Sequence, residues 1–238
     1  MDLSIIIPAY NEHQKIERDI LAASDYLMRQ NFKGEIIIVD DGSSDETAET
    51  AIRIKNIAGV DKKVLSYKPN KGKGYAVREG IKLSKGKYVM FADSGVCIDY
   101  NFTSDGLKLL QSDQCEIAHG SRKMKASVIK RKQPFIRQIA SKMFQLFIFT
   151  FMGIPRRLTD TQCGFKMYQG DVARELYGNA VTDGFSFDIE IILRAVKKKY
   201  RILEFPVVWF CDSDSRLSTV STSGKIFNEF IKIKRAVK

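Results

Sequence analysis

Two short apolar runs, Ser4-Ile5-Ile6-Ile7 and Glu35-Ile36-Ile37-Ile38-Val39, constrain this chain most, because each stops abruptly in acid-bearing residues. Pro8-Ala9-Tyr10-Asn11-Glu12 follows the first, and Asp40-Asp41-Gly42-Ser43-Ser44-Asp45 follows the second. Short runs of this kind read as buried strands of a parallel sheet. Between them Ile16, Ile20, Ala23, Leu27 and Met28 recur at roughly helical spacing, which predicts a strand, a crossover helix and a second strand. Ligands of such sheets gather at the carboxyl ends of the strands, so both acidic turns open onto one crevice. Carboxylates do not cradle phosphate, but they accept hydrogen bonds from a base N–H or a ribose hydroxyl. The crevice therefore reads as a nucleoside site. Neither the Rossmann nor the P-loop phosphate motif is present, since Gly72-Lys73-Gly74 lacks a third glycine and does not directly follow a strand.

A third strand is predicted at Val64-Leu65-Ser66-Tyr67, and Pro69 to Gly74 then forms a glycine-rich turn into a helix over Tyr75 to Leu83. Glycine and lysine there permit close backbone approach and supply positive charge, as a diphosphate requires. The next strand, Lys87 to Ala92, ends at Asp93-Ser94-Gly95. One Asp at a strand end is readily a helix cap. Three acidic strand ends on one sheet point to a site.

With 238 residues, 44% of them hydrophobic and 11% aromatic, the chain suits one globular domain with a large core and a basic appendage. Cys97, Cys115, Cys163 and Cys211 lie far apart, with only His13 and His119 as companions, which argues against structural zinc and for reduced thiols. Met1-Asp2-Leu3 leads straight into the first strand, with no basic, apolar leader, so a cytoplasmic location is expected.

The net charge of +11 is unevenly placed: residues 121–157 hold ten Lys or Arg and no acid. Within them Met143-Phe144-Gln145-Leu146-Phe147-Ile148-Phe149-Thr150-Phe151-Met152 is strongly apolar, yet far shorter than the roughly 20 residues that cross a bilayer. Lys130, Arg131, Lys132, Arg137 and Lys142 precede the run, and Arg156 and Arg157 follow it. This suits an interfacial helix on an anionic membrane surface, peripheral at the cytoplasmic face. The plainer alternative is a core or dimer helix with solvated lysines at its ends. Nucleic acid is not an expected partner, because the basic residues are interleaved with a continuous apolar face rather than with stacking and polar groups.

An ordered series of motifs carries a resemblance: PAYNE (Pro8 to Glu12), VDDGSSDET (Val39 to Thr47), NKGKG (Asn70 to Gly74), FAD (Phe91 to Asp93), GSR (Gly120 to Arg122), DTQCGFK (Asp160 to Lys166) and FSFDIE (Phe185 to Glu190). From about Ser4 to Ser218 the chain resembles the family 2 glycosyltransferases, in the branch that moves a sugar from a nucleotide to a polyprenyl phosphate. DTQCGFK and FPVVWF followed by Ser215-Arg216-Leu217-Ser218 look most like the dolichyl-phosphate glucosyltransferases, with the mannosyltransferases close behind. The resemblance implies an α/β fold of GT-A type: a Rossmann-like, mostly parallel sheet flanked by helices, in a single domain over 1–218, with a basic C-terminal helix over 219–238. It also implies a UDP- or GDP-hexose donor, UDP-glucose favoured, a polyprenyl-phosphate acceptor and Mg2+ or Mn2+. The sugar-nucleotide pyrophosphorylases fit poorly, because no triphosphate loop follows Ile7.

Carried over by position, Pro8, Tyr10 and Glu12 line the nucleoside pocket, Asp40 or Asp41 accepts from the base, and Asn70 and Lys73 lie near it. Asp93 becomes the first carboxylate of the metal motif, and hard oxygen ligands favour magnesium or manganese. Here the chain departs from its relatives, since Gly95 stands where the family's D-x-D has a second acid. Asp99 either approaches the ion or caps its own loop. Gly95 also keeps a second class of function open: a nucleotide-sugar-binding module, or a partner subunit of a membrane enzyme, without turnover.

Arg122, Arg131, Arg137 and Ser141 are the candidates for the acceptor phosphate, because guanidinium forks match phosphate oxygens, and Arg216 joins them from the late motif. Asp160, Gln162, Asp188 and Glu190 are the candidates for orienting the sugar, with Asp188 near the chemistry; helix N-terminal acids favoured by the dipole are the alternative for the last two. An acceptor phosphate is already anionic, so direct attack with inversion needs no strong base. Placement and stabilisation of the leaving diphosphate then dominate. A separate membrane subunit and a homo-oligomer remain open as partners.

Overall fold

The computed structural model describes residues 1–55, 57, 59–130, 141, 143–210 and 223–237, with side chains of the last stretch from Asn228 onward. Arg131, Arg137 and Arg216 lie outside the described residues, as does Cys211.

The chain opens with strand β1 (Leu3–Ala9), helix α1 (Ile16–Arg29) and strand β2 (Gly34–Asp40), as the spacing predicts. Helix α2 (Thr47–Arg53), strand β3 (Val60–Ser66), helix α3 (Lys73–Leu83) and strand β4 (Tyr88–Ala92) complete the first half. Then come helix α4 (Thr103–Gln111) and strands β5 (Ile117–Ser121) and β6 (Val128–Ile129). A helical stretch from 143 ends in a π turn at Ile148–Met152. Strand β7 (Phe165–Gln169), helices α5 (Gly170–Gly178) and α6 (Phe187–Lys197), strands β8 (Ile202–Pro206) and β9 (Val208–Trp209) and helix α7 (Ser223–Ala236) follow.

Seven strands form one sheet in the order β3-β2-β1-β4-β7-β5-β8. Every pairing in it is parallel except those of β7, which runs antiparallel to β4 and to β5. Because β1, β2 and β4 are parallel neighbours, Ala9, Asp40 and Ala92 all end at the same edge. The reversed strand starts at that edge, with Phe165 opposite Ala92, so the residues just before it reach the site from the other direction.

Helices cover both faces. Ile5, Ile7, Ile36, Ile38 and Met90 pack against Ile16, Ile20, Ala23 and Leu27 of α1 and Leu107 and Leu110 of α4. Ile6, Ile37, Val39, Val89 and Phe91 point the opposite way, toward Ala76, Val77 and Ile81 of α3 and the buried residues of α5 and α6. Fully burying each such side chain stabilises the fold by about 1.5–3 kcal/mol, so this double-sided sheet is a rigid platform for its polar edge. A second, two-stranded sheet joins β6 to β9 in parallel, and Trp209 also bridges to Ile98 just beyond the Asp93 turn.

The apolar stretch splits its residues between two roles. Phe144 and Phe147 stack on Phe230 of α7, at centroid distances of 6.0 and 5.3 Å, and Ile148 and Met152 are buried. Met143, Leu146 and Phe151 face outward and are 68%, 64% and 60% exposed. Among the described residues no helix is long and apolar enough to cross a membrane.

Candidate active site

The loops after β1 and β2 are stitched together by short polar side chains. Asn11 N–H donates to Ser43 Oγ at 2.8 Å, Ser44 N–H to Asn11 Oδ1 at 2.7 Å, and Glu12 N–H to Thr47 Oγ1 at 2.7 Å. His13 Nδ1 lies 2.8 Å from Asp45 Oδ2. Pro8 ends buried in the sheet, while Tyr10, 40% exposed, presents its ring at the rim.

Asp41 anchors the loop that follows β3. Its Oδ1 accepts from Tyr67 Oη at 3.0 Å and Lys71 N–H at 2.8 Å; its Oδ2 accepts from Asn70 Nδ2 at 2.8 Å and Gly72 N–H at 2.9 Å. A carboxylate offers about four lone-pair sites, and all of them are filled, leaving none for a base N–H. Asp40 is 1% exposed and accepts from Ser66 Oγ at 2.7 Å and Ser43 N–H at 3.3 Å. Asp41 thus pins the 67–72 loop to β2, while Asp40 holds Ser66 at the end of β3 and the Ser43 turn. Burial dictates this, because a desolvated carboxylate needs protein donors. Asn70 likewise spends its amide on Asp41, including the Asp41 carbonyl at 2.8 Å.

Lys73 is the first residue of α3, and its Nζ is 2.6 Å from Asp93 Oδ1 at the end of β4. Burial pulls the ammonium down, but the fields of Asp93 and Asp188 outweigh it and hold Lys73 above its ordinary range.

The segment 160–166 tethers three elements to this centre. Asp160 is buried and takes a two-pronged ion pair from Arg122, Nε to Oδ2 at 2.6 Å and Nη2 to Oδ1 at 2.8 Å, while Arg122 N–H donates to Oδ2 at 3.0 Å. Burial raises the Asp160 carboxyl, yet Arg122 pulls it down to about 2. Arg122 itself lies over the Trp209 ring, 5.4 Å from the centroid. Gly164 accepts Asp93 N–H through its carbonyl at 2.8 Å. Lys166, 1% exposed, donates to Asp188 Oδ1 at 2.5 Å and to the Thr161 carbonyl at 3.1 Å. Burial nevertheless raises Asp188, with Lys166 and Lys73 opposing the shift. Gln162 has a buried side-chain nitrogen with no hydrogen-bond partner among the described residues.

Glu190 is corrected outright. It is 0% exposed, and its oxygens accept from Val181 N–H at 2.9 Å and Thr182 N–H at 2.8 Å and pair with Arg194 at 2.7 Å. It fixes the loop before α6 and has no face toward a sugar, because i and i+2 point to different sides of a helix. Ser141 is helical and exposed. Asp99 accepts from Asn101 N–H at 2.8 Å and so caps its own turn.

Sequence reasoning missed Lys166 as the partner of Asp188, although it closes the DTQCGFK motif. It also missed Arg18 and Asp19. The signal was present for Asp19, an acid three residues after Ile16 and four before Ala23, on the apolar stripe of α1.

The sequence profile described as glycosyl transferase family 2 matches residues 4–176. The chain belongs to this family. This family 2 glycosyltransferase is 32% identical over 242 residues to the "Dolichyl-phosphate beta-glucosyltransferase" of Dictyostelium discoideum, which covers 98% of this chain and 73% of the relative. The human protein of that name is 32% identical over 220 residues, covering 87% of this chain and 67% of its own. Among solved structures, glucosyl-3-phosphoglycerate synthase from Mycobacterium tuberculosis, in complex with Mn2+ and UDP-glucose, superposes with a TM-score of 0.72 at 16% identity. That match covers 98% of this chain and 78% of the other, and it shows the GT-A fold of this glycosyltransferase.

Proposed function

We propose that this enzyme transfers glucose from UDP-glucose to a polyprenyl phosphate of the dolichyl type, with inversion, at the cytoplasmic face of a membrane. The observation that carries the reading is the Asp93–Lys73 pair, 2.6 Å apart at the sheet edge where β1, β2 and β4 end, with Arg122 held by Asp160. The relatives named as dolichyl-phosphate glucosyltransferases support the acceptor and the sugar. The neighbour solved with Mn2+ and UDP-glucose supports the donor.

The chain's own residues divide the work. Tyr10 offers a ring for the base, and the Asp41-pinned loop sets the depth of the pocket. Lys73 places a permanent positive charge where a leaving diphosphate gathers negative charge. Arg122, its fork already oriented by Asp160, presents its remaining N–H groups to the acceptor phosphate. Gln162 supplies a donor for a sugar hydroxyl. The acceptor oxygen is already anionic and attacks the anomeric carbon directly as the bond to the diphosphate breaks, so an α-linked donor yields a β-linked product.

The residues present fit a divalent cation bound together with the nucleotide. Gly164 leaves the space that the Asp93 carboxylate fills, and Asp93 is a hard oxygen donor suited to Mg2+ or Mn2+. Among the described residues no group of three potential ligands stands ready, so Asp93 would hold the cation only together with diphosphate and water oxygens. When bound, the cation neutralises charge on the leaving diphosphate.

The outward residues Met143, Leu146 and Phe151, beside a basic segment, suit contact with the bilayer that holds the acceptor. The test is incubation with radiolabelled UDP-glucose or GDP-mannose and vesicles carrying polyprenyl phosphate. Label from UDP-glucose should enter the lipid phase. Label appearing only in water-soluble products would overturn the lipid assignment, and transfer from GDP-mannose alone would overturn the donor.

A further inference from the structure

We propose that Arg18 and Asp19, neighbours on α1, are positioning residues that hold the Asp93-Ser94-Gly95 turn in the shape in which Asp93 meets a nucleotide-bound divalent cation. The inference rests on the reading above that such a cation binds here.

The turn is gripped on both sides of one residue. Gly95 N–H donates to Asp19 Oδ1 and Oδ2, each at 2.9 Å, and Ser94 Oγ donates to Oδ2 at 2.9 Å. On the other side, Arg18 Nη2 donates to the Gly95 carbonyl at 2.6 Å. Asp93 N–H is meanwhile fixed by Gly164, so the turn is anchored at its start from β7 and at its end from α1.

This grip accounts for the absent second acid. Gly95 has φ +102° and Val96 has φ +45°, two consecutive residues in the left-handed half of conformational space. The φ at 95 is one that glycine adopts freely and an aspartate does not. A side-chain ligand at 95 and this backbone shape exclude each other. The chain has the shape, with the position serving as a backbone anchor.

Asp19 is not needed to dock its helix. Ile16, Ile20, Ala23 and Leu27 already bury α1 against the sheet, and Asp19 itself is 1% exposed. An apolar residue there would pack without the desolvation that a buried carboxylate suffers. That desolvation raises the Asp19 carboxyl to about 6, despite the donors of Gly95 and Ser94. A costly group whose hydrogen bonds go to two atoms of the turn, the Gly95 amide and the Ser94 hydroxyl, points to the turn as its purpose.

Asp19→Leu removes the acceptors, whereas Asp19→Asn keeps an oxygen for the Gly95 amide. Mn2+ binding is measured by calorimetry and by the Mn2+ paramagnetic resonance signal with UDP present, alongside thermal melting and steady-state kinetics. The Leu variant should weaken Mn2+ affinity in the UDP complex by about 10–100-fold and lower kcat with the acceptor KM unchanged, while Asn largely restores both. A folded Leu variant with wild-type Mn2+ affinity overturns the proposal. If the Leu variant does not fold, Arg18→Ala, which removes only the contact to the Gly95 carbonyl, decides: weakened Mn2+ affinity sustains the proposal and unchanged affinity overturns it. Wild-type protein that fails to bind Mn2+ in the presence of either UDP or GDP defeats the nucleotide reading itself, before any variant is compared.

Discussion

Gly164 and Asp93 occupy each other's space: a Cβ built on Gly164 would fall 2.0 Å from the carboxylate carbon of Asp93, whose amide donates to the Gly164 carbonyl at 2.8 Å. Gly164→Ala must therefore push the carboxylate aside. The expected result is a fall in kcat of about 100-fold, the scale of a misplacement near 1 Å, with donor KM little changed. Steady-state kinetics on the lipid acceptor check it, and wild-type turnover would show that Asp93 needs no such seat.

Asp93→Ala and Glu190→Gln separate chemistry from architecture within one cluster of acids. The first should lower transfer by roughly 1000-fold or more while the melting curve stays near that of the parent. The second should leave donor KM alone and cost about 1–3 kcal/mol of stability, because the amides of Val181 and Thr182 lose a charged acceptor. Denaturant titration and kinetics on both variants are sufficient, and a donor KM defect in Glu190→Gln would return that residue to the sugar site.

The Arg122 and Asp160 pair gives a pH signature. In the parent the Asp160 carboxyl is depressed to about 2 from an ordinary 3.8. Its stabilising share is thus complete above about pH 4 and disappears as pH falls toward 2. Arg122→Leu leaves a buried carboxylate without its partner, so its pKa moves above the unfolded value and the penalty, about 3–5 kcal/mol, applies at neutral pH. Lowering the pH protonates Asp160 and relieves it. Unfolding curves at pH 7.5 and 4.5 should show the gap between variant and parent narrowing; a gap that widens on acidification would contradict the pairing.

Leu146→Ser with Phe151→Ser tests the outward face of the apolar stretch. Each side chain contributes about 1.5–3 kcal/mol when fully buried, so the double variant should lose roughly tenfold or more in partition onto anionic vesicles. UDP binding should be unaffected. Equal sedimentation with vesicles would move the membrane contact elsewhere on the molecule.

The sequence made the platform legible because β1, β2 and β4 are short apolar runs that end in acids, and parallel pairing leaves those ends no other edge. Hydrogen-bond saturation was not legible. That Asp41 is filled depends on the 67–72 loop folding back to bring Tyr67, Lys71 and Gly72 to it, a contact that no local pattern encodes. Glu190 was misread for a related reason: the amides it accepts lie in the 181–182 loop, and only the packing of α6 decides which way that side of the helix faces. Asp19 was overlooked because α1 was read for its apolar stripe alone.

The lone reversed strand joins the two parts of the sheet. In the proposed function the residues assigned to the nucleoside, from Pro8 to Asn70, all precede α3. Asp93 receives its neighbour Gly164 only when Phe165 aligns with Ala92. One strand therefore both closes the sheet, with β4 on one side and β5 on the other, and delivers the residue that seats the Asp93 turn.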